Sequence, residues 1–185
     1  MDMQQWIEKI LDYDYRLSQS LRLKTDSAAL KKMASIFAHT GDSWFWLAGL
    51  VLLWLFGNPE WRYKAAILAI SLVILAVFVL FLKFTIRRRR PEGDWGEIYR
   101  KTDPHSFPSG HAARAALLAV MAIGLGPAWF GLVVGIWAPF VSLARIVMGV
   151  HYVSDVVVGF IIGIIVGWVL LDLQGVIVLA APFIF

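Results

Sequence analysis

Long apolar runs separated by short charged breaks dominate the chain. Residues 65–82 (AAILAISLVILAVFVLFL) carry no charge over eighteen positions, close to the roughly 20 apolar helical residues that a bilayer core requires. An earlier run, 39–56, ends in LAGLVLLWLF and is closed by Gly57-Asn58-Pro59, a strong turn signal. Between Arg114 and Arg145 lie thirty uncharged residues interrupted by Gly124-Leu125-Gly126-Pro127. That break predicts two helices, about 109–125 and 128–147, and a further run covers 152–171. The pattern predicts an all-α, polytopic membrane helical bundle of about five transmembrane helices.

The ends of the chain read differently. In MDMQQWIEKILDYDYRLSQSLRLK, charges are spread throughout, which excludes a cleavable signal peptide. Trp6, Ile7, Ile10, Leu11, Leu17 and Leu21 fall near helical spacing, so residues 1–25 are expected to form an amphipathic helix on the membrane surface. A soluble capping helix is the alternative. Residues 172–185 are apolar but too short to cross and are placed in the interface. The chain is thus read as one integral membrane domain, 1–185, with its bundle over 39–171. Gly159, Gly163 and Gly167 make a small-residue stripe that lets helices approach closely.

Composition narrows the class. The chain is 59% hydrophobic and only 16% charged, with mean hydropathy +0.71, against about a quarter charged in soluble domains. It has no cysteine, so a disulfide framework, a thiolate metal site and a thiol nucleophile are all excluded. Net charge is +4. No basic helix with interleaved aromatics lies outside the apolar runs, which argues against nucleic acid. The basic residues mark membrane boundaries instead, favouring lipid headgroups or an anionic substrate. Oligomeric state leaves no signal in the sequence.

If the runs alternate across the bilayer, every unusual polar residue near a run's end falls on one face. The first cluster is KFTIRRRRP: Lys83 and Arg90 are seven apart and share one side if the helix continues. Arg87, Arg88 and Arg89 read equally well as an anchor to acidic lipid. In the second cluster, FPSGH, Pro108 and Ser109 suit a helix start, and Gly110 would let a phosphate approach the free backbone amides. His111 and Arg114 follow within the same turn region. The third is ARIVMGVHYVSD, where Arg145 closes one helix, and His151 and Asp155 are neighbours at i,i+4. A carboxylate so placed can fix an imidazole tautomer and leave the other nitrogen available. A metal could use His111, His151 and Asp155, but Lys83, Arg90 and Arg145 would repel it. The same cations suit phosphate.

Read together, Lys83…Arg90-Pro91, Pro108-Ser109-Gly110-His111 and Ala144-Arg145…His151…Asp155 resemble the three signatures of the type 2 phosphatidic acid phosphatase superfamily. That superfamily includes membrane lipid phosphatases and vanadium haloperoxidases. One departure stands out: Ala144 replaces the usual serine, removing a secondary hydrogen bond. The resemblance implies a metal-free phosphatase without a cofactor. In it His151 becomes phosphorylated, Asp155 holds its ring, and His111 serves as acid and then base. Lys83, Arg90, Arg145 and the Ser109–Gly110 backbone cradle the phosphoryl oxygens. The implied substrate is a membrane lipid phosphate or diphosphate: undecaprenyl diphosphate first, with phosphatidic acid and phosphatidylglycerophosphate also fitting. A lipid phosphotransferase and a non-enzymatic lipid-binding or transport protein are the rival readings. The resemblance places the site on the outer face of a bacterial or archaeal plasma membrane. The distribution of Lys31, Lys32 and the arginines at 87–90, against Arg62 and Lys64, points to the inner face instead.

Overall fold

The computed structural model describes residues 2–22, 27–92 and 103–185. Among them run α1 (Met3–Leu21), α2 (Ala28–Thr40), α3 (Ser43–Phe56), α4 (Pro59–Ile86), α5 (Gly110–Leu125), α6 (Ala128–Val147), α7 (Val153–Asp172) and α8 (Gln174–Ala180), closed by a 3-10 turn at Pro182–Ile184. The expected breaks are where the turn chemistry put them. Gly57 ends α3, and the Asn58 side chain accepts the Trp61 N–H at 3.0 Å to cap α4, whose first residue is Pro59. Likewise Gly126 closes α5 two residues before α6 begins.

The centre of the bundle is α5, which packs against α4, α6 and α7. Its Ala112, Ala113, Ala115, Ala116, Leu117, Leu118, Met121 and Ala122 are all buried, so it meets protein on nearly every side. Small residues make that possible. A Cβ on Gly163 of α7 would lie 2.0 Å from the Ala113 carbonyl oxygen, and one on Gly159 would lie 2.5 Å from the Ser109 carbonyl oxygen. The glycine stripe therefore seats the start of α5 directly on α7. The outward residues of α4, α6 and α7 are large and apolar, among them Phe81, Leu132, Ile136, Ile161 and Ile165. The chain is an integral membrane protein, an all-α polytopic bundle.

The helix count differs from the expected five. Among the described residues, three helices, α4, α6 and α7, are long and apolar enough to cross, and α2 with α3 makes a fourth if that pair, bent by 51°, is one span. The run at 39–56 is not one straight helix, because the chain turns at Gly41 and Asp42. The run at 109–125 becomes a helix of 16 residues, about 24 Å long at 1.5 Å per residue. Apolarity alone does not distinguish a helix wrapped by protein from one that faces lipid.

Of the segment 1–25, residues 1 and 23–25 lie outside the described residues, and α1 occupies Met3–Leu21. Its Trp6, Ile7, Ile10 and Leu11 are exposed, while Asp14 and Ser18 are buried against the bundle. The C-terminal segment folds back on α3 and α4: Trp54 Nε1 donates to the Ile184 carbonyl at 2.8 Å, and Tyr63 and Gln174 side chains meet at 3.1 Å.

Candidate active site

A cavity of about 320 Å³ is lined by Lys83, Arg90, Asp103, Gly110, His111, Arg114 and His151, with Ser43 and an apolar wall of Leu75, Ala76, Val79 and Leu80. Of the residues singled out from the sequence, Lys83, Arg90, Gly110, His111 and His151 therefore line one space. Ser109, Arg145 and Asp155 stand immediately behind it, each fully buried.

Lys83 and Arg90 converge, though not by sharing a helix face. Helix α4 ends at Ile86, Arg87 takes a left-handed conformation (φ 54°), and the chain reverses before Arg90. The two cations then meet on Asp103 Oδ2, Lys83 Nζ at 2.5 Å and an Arg90 terminal nitrogen at 2.8 Å. Lys83 also donates to the His105 carbonyl at 2.9 Å, and Arg90 Nε to that of Asp103 at 2.7 Å. Burial acts to raise the Asp103 pKa. The Lys83 hydrogen bond and the charges of Lys83 and Arg90 outweigh it, holding the carboxyl below its usual range. A carboxylate thus bridges the two cations.

His151 sits in the turn between α6 and α7, where the Arg145 carbonyl accepts both the Val150 N–H (3.2 Å) and the His151 N–H (3.3 Å). Its Nδ1 stands 3.5 Å from Asp155 Oδ2, and its Nε2 is 3.1 Å from Arg90. An arginine can only donate, so Nε2 carries the lone pair and Nδ1 the proton. Burial drives the imidazole toward its neutral form, with a pKa of about 3; Asp155 opposes this, and the Arg90 and Arg145 charges reinforce it. Asp155 is held on both sides. Oδ2 accepts the Tyr152 N–H at 2.9 Å, and Oδ1 accepts from Arg88 at 2.7 Å. Arg88 is therefore no lipid anchor, whereas Arg87 and Arg89 remain exposed.

His111 enters from the first turn of α5. Ser109 caps that helix by accepting the Ala112 N–H at 3.5 Å, and its own N–H donates to the Asp155 carbonyl at 2.9 Å. Pro108 precedes the cap and is not part of the first turn. His111 Nε2 lies 2.7 Å from Asp42 Oδ1, while Asp42 Oδ2 lies 3.1 Å from His39 Nδ1. From the sequence, Asp42 in HTGDSW reads as a helix cap or a polar group near the site, the cap being favoured; its side chain makes no capping hydrogen bond. It belongs to the site instead. Arg114 holds this region in place through the Gly41 carbonyl (3.3 Å) and the Ser43 hydroxyl. At Gly110, an added Cβ would meet nothing nearer than Val79 at 3.6 Å. Protein packing does not demand a glycine there. Ala144, in place of serine, packs with Ala38, Met148 and Val150.

Sequence reasoning missed Asp103 and undervalued Asp42 and Arg88. Asp42 had a legible signal, a carboxylate beside a glycine at the start of an apolar run. Asp103 had none. Among the described residues, no group of three or more histidines and carboxylates is arranged to hold a metal ion.

The PAP2 superfamily pattern matches residues 64–177, a stretch that includes Lys83, Arg90, Ser109, Gly110, His111, Arg145, His151 and Asp155. An undecaprenyl-diphosphatase of Sulfolobus acidocaldarius is 30% identical over 139 residues, covering 74% of this chain and 66% of that protein. A decaprenylphosphoryl-5-phosphoribose phosphatase of Mycobacterium tuberculosis is 32% identical over 146 residues, covering 77% and 79%. Among solved structures, LpxE of Aquifex aeolicus superposes with a TM-score of 0.69 at 26% identity, over 85% of this chain and 94% of that one. A phosphatidylglycerolphosphate phosphatase from Bacillus subtilis reaches 0.74 at 23% identity, over 90% and 87%, a likeness of fold.

Proposed function

The chain belongs to the PAP2 superfamily, and from that premise we propose that it is a metal-independent lipid phosphatase working through a phosphohistidine. The observation that carries this is the meeting, at one cavity, of two histidines each backed by a carboxylate, two cations able to grip an anion, and an apolar wall. That wall runs from buried Leu75 and Val79 to Leu80, which is 48% exposed on the lipid-facing surface. Such a wall suits the hydrocarbon next to a phosphate head. We rank a polyprenyl diphosphate first, on the apolar wall and the likeness to an undecaprenyl-diphosphatase; phosphatidic acid and phosphatidylglycerophosphate fit the same chemistry.

In the first step, His151 Nε2 attacks phosphorus in line. The N–P bond forms and the bond to the leaving oxygen breaks, with protonated His111 giving that oxygen its proton. Since Nε2 of His111 faces Asp42, its Nδ1 is the atom for this transfer. In the second step, neutral His111 takes a proton from water as the water oxygen attacks phosphorus. The N–P bond then breaks, and its electron pair returns to His151. Lys83, Arg90, Arg145 and the backbone at Ser109–Gly110 stabilise the phosphoryl oxygens, and Asp155 the ring that carries the phosphorus. Charge placed in advance is the main source of acceleration in such chemistry. The phosphate displaces the Asp103 carboxylate from Lys83 and Arg90.

We read α2–α3 as one bent crossing and α5 as a short fifth crossing within the bundle. The apolar face of α1 then rests in the headgroup layer, and the site faces the outer side. The test is phosphate release from polyprenyl diphosphate and phosphatidic acid in detergent with EDTA. Turnover is expected to survive EDTA and to fall at least about 10³-fold in His151→Ala. Abolition by EDTA would overturn the metal-free mechanism, and full activity in the variant would remove His151 as nucleophile.

A further inference from the structure

Helix α1 carries a carboxylate where an amphipathic helix should be apolar. Asp14 follows Ile10 by four residues and Leu11 by three, and Ser18 precedes Leu21 by three, so both fall in the hydrophobic stripe. A buried carboxylate is costly unless paired and hydrogen-bonded. Asp14, whose side chain is 9% exposed, is fully engaged. Its Oδ2 accepts from Arg88 at 2.6 Å and from the Ser154 hydroxyl at 2.5 Å, and its Oδ1 from the Ser154 N–H at 3.0 Å. Ser18 Oγ accepts the Val153 N–H at 2.9 Å. Two amides at the start of α7, which have no partner within their own helix, are thus met by side chains of α1.

The guanidinium that grips Asp14 also grips Asp155 Oδ1 at 2.7 Å, and it lies over the Tyr152 ring at 4.0 Å. We propose that Asp14 is a positioning residue for the phosphatase reaction, acting through Arg88 so that Asp155 keeps both its orientation and its charge toward His151. The inference rests on the assignment of His151 as the phosphate acceptor. Arg88 and Asp155 alone form a neutral pair; once phosphate displaces the Asp103 carboxylate from Lys83 and Arg90, His151 would face Lys83, Arg90 and Arg145 with no net negative side chain beside it. With Asp14 on the far side of the guanidinium, the three groups sum to −1. Arg88 then fixes Asp155 Oδ1 while Oδ2 remains for the imidazole. Groups sharing one network of charges couple strongly, and removing one member is felt by the others.

The test uses the full chain in detergent with two readouts, phosphate release from a lipid phosphate and affinity for orthovanadate, an oxyanion that can take the place of the phosphoryl group. Asp14→Asn keeps the size and one acceptor but removes the charge. It is expected to lower kcat by about 10-fold to 30-fold, with KM within about 3-fold, and to weaken vanadate binding about 10-fold. Adding Asp14→Asn to Arg88→Met should cost little beyond Arg88→Met alone, because Asp14 acts through the guanidinium. Ser18→Ala, which loosens the docking of α1 without touching the charge, should lower the melting temperature and leave kcat and vanadate affinity within about 2-fold. A merely structural Asp14 would behave as Ser18 does, and the double variant would be worse than either single one. Either result overturns the proposal, as does an Asp14→Asn protein equal to the parent. If the parent releases no phosphate yet binds vanadate in an Asp14-dependent way, the hydrolase reading fails and the coupling stands. A parent that binds no vanadate overturns both.

Discussion

The two histidine–carboxylate pairs solve one problem by opposite means. His151 and Asp155 lie four residues apart around the start of a single helix, both essentially excluded from solvent. His111 and Asp42 lie 69 residues apart, come from α5 and the bend before α3, and remain partly open. The local pair stands at 3.5 Å and relies on Arg88 and the Tyr152 amide to hold its carboxylate. The distant pair closes to 2.7 Å and depends on how the helices pack. That packing is tight at Gly41, where a Cβ would lie 2.6 Å from a Val141 methyl and 3.3 Å from the His111 ring. The difference suits the proposed tasks. A nucleophile needs one fixed lone pair in a dry place, whereas a proton donor must exchange with water between its two steps.

The sharpest way to break the comparison is to neutralise each carboxylate in turn. Asp155→Asn should lower kcat by about 10³-fold for every substrate, because the amide no longer holds the ring in the tautomer that exposes Nε2. Asp42→Asn should cost less, about 10-fold to 100-fold on a lipid phosphate, and its effect should depend on the leaving group. With 4-nitrophenyl phosphate, whose leaving oxygen needs little proton help, the loss should shrink to about 3-fold or less. Equal losses on both substrates would show that Asp42 serves the fold and not the proton donor. A leaving-group dependence in Asp155→Asn would reverse the two assignments.

This contrast also explains what could be read beforehand. The His151–Asp155 pair, the Lys83–Arg90 spacing and the Ser109 cap are local relations, and a chain written in order displays them. So are the breaks at Gly57-Asn58-Pro59 and Gly126-Pro127, where turn chemistry is confined to a few residues. The relations that escaped are long-range. Asp42 reaches His111 only because α2 and α3 bend by 51° at that point, and Arg88 is drawn inward by a carboxylate 74 residues earlier. The route by which Lys83 and Arg90 meet was also hidden. A left-handed arginine at 87 bears no sequence mark as a glycine would. The short α5 read as an ordinary span because an alanine-rich, protein-wrapped helix and a lipid-facing one are equally apolar.

The smallest expected effect is on the pH dependence, and it again separates the pairs. His151 ordinarily titrates near 6.5 but is held at about 3 in the folded protein, chiefly by burial. Between those values the unfolded chain binds a proton that the folded one does not, so stability rises with pH across that window and is lost as pH falls through it. The slope is at most about 1.4 kcal/mol per pH unit. Comparing melting in detergent at pH 7 and pH 5, the parent should lose about 1–2 kcal/mol more than His151→Gln, whose side chain does not titrate. The rate should show no counterpart. Once corrected for ionisation of the substrate phosphate, kcat/KM should have no acid limb from His151 above about pH 4, because the nucleophile stays neutral there. An acid limb near pH 6 that shifts in Asp155→Asn would mean that His151 is protonated in the resting site. The dry, cation-lined setting would then not be what keeps its lone pair available.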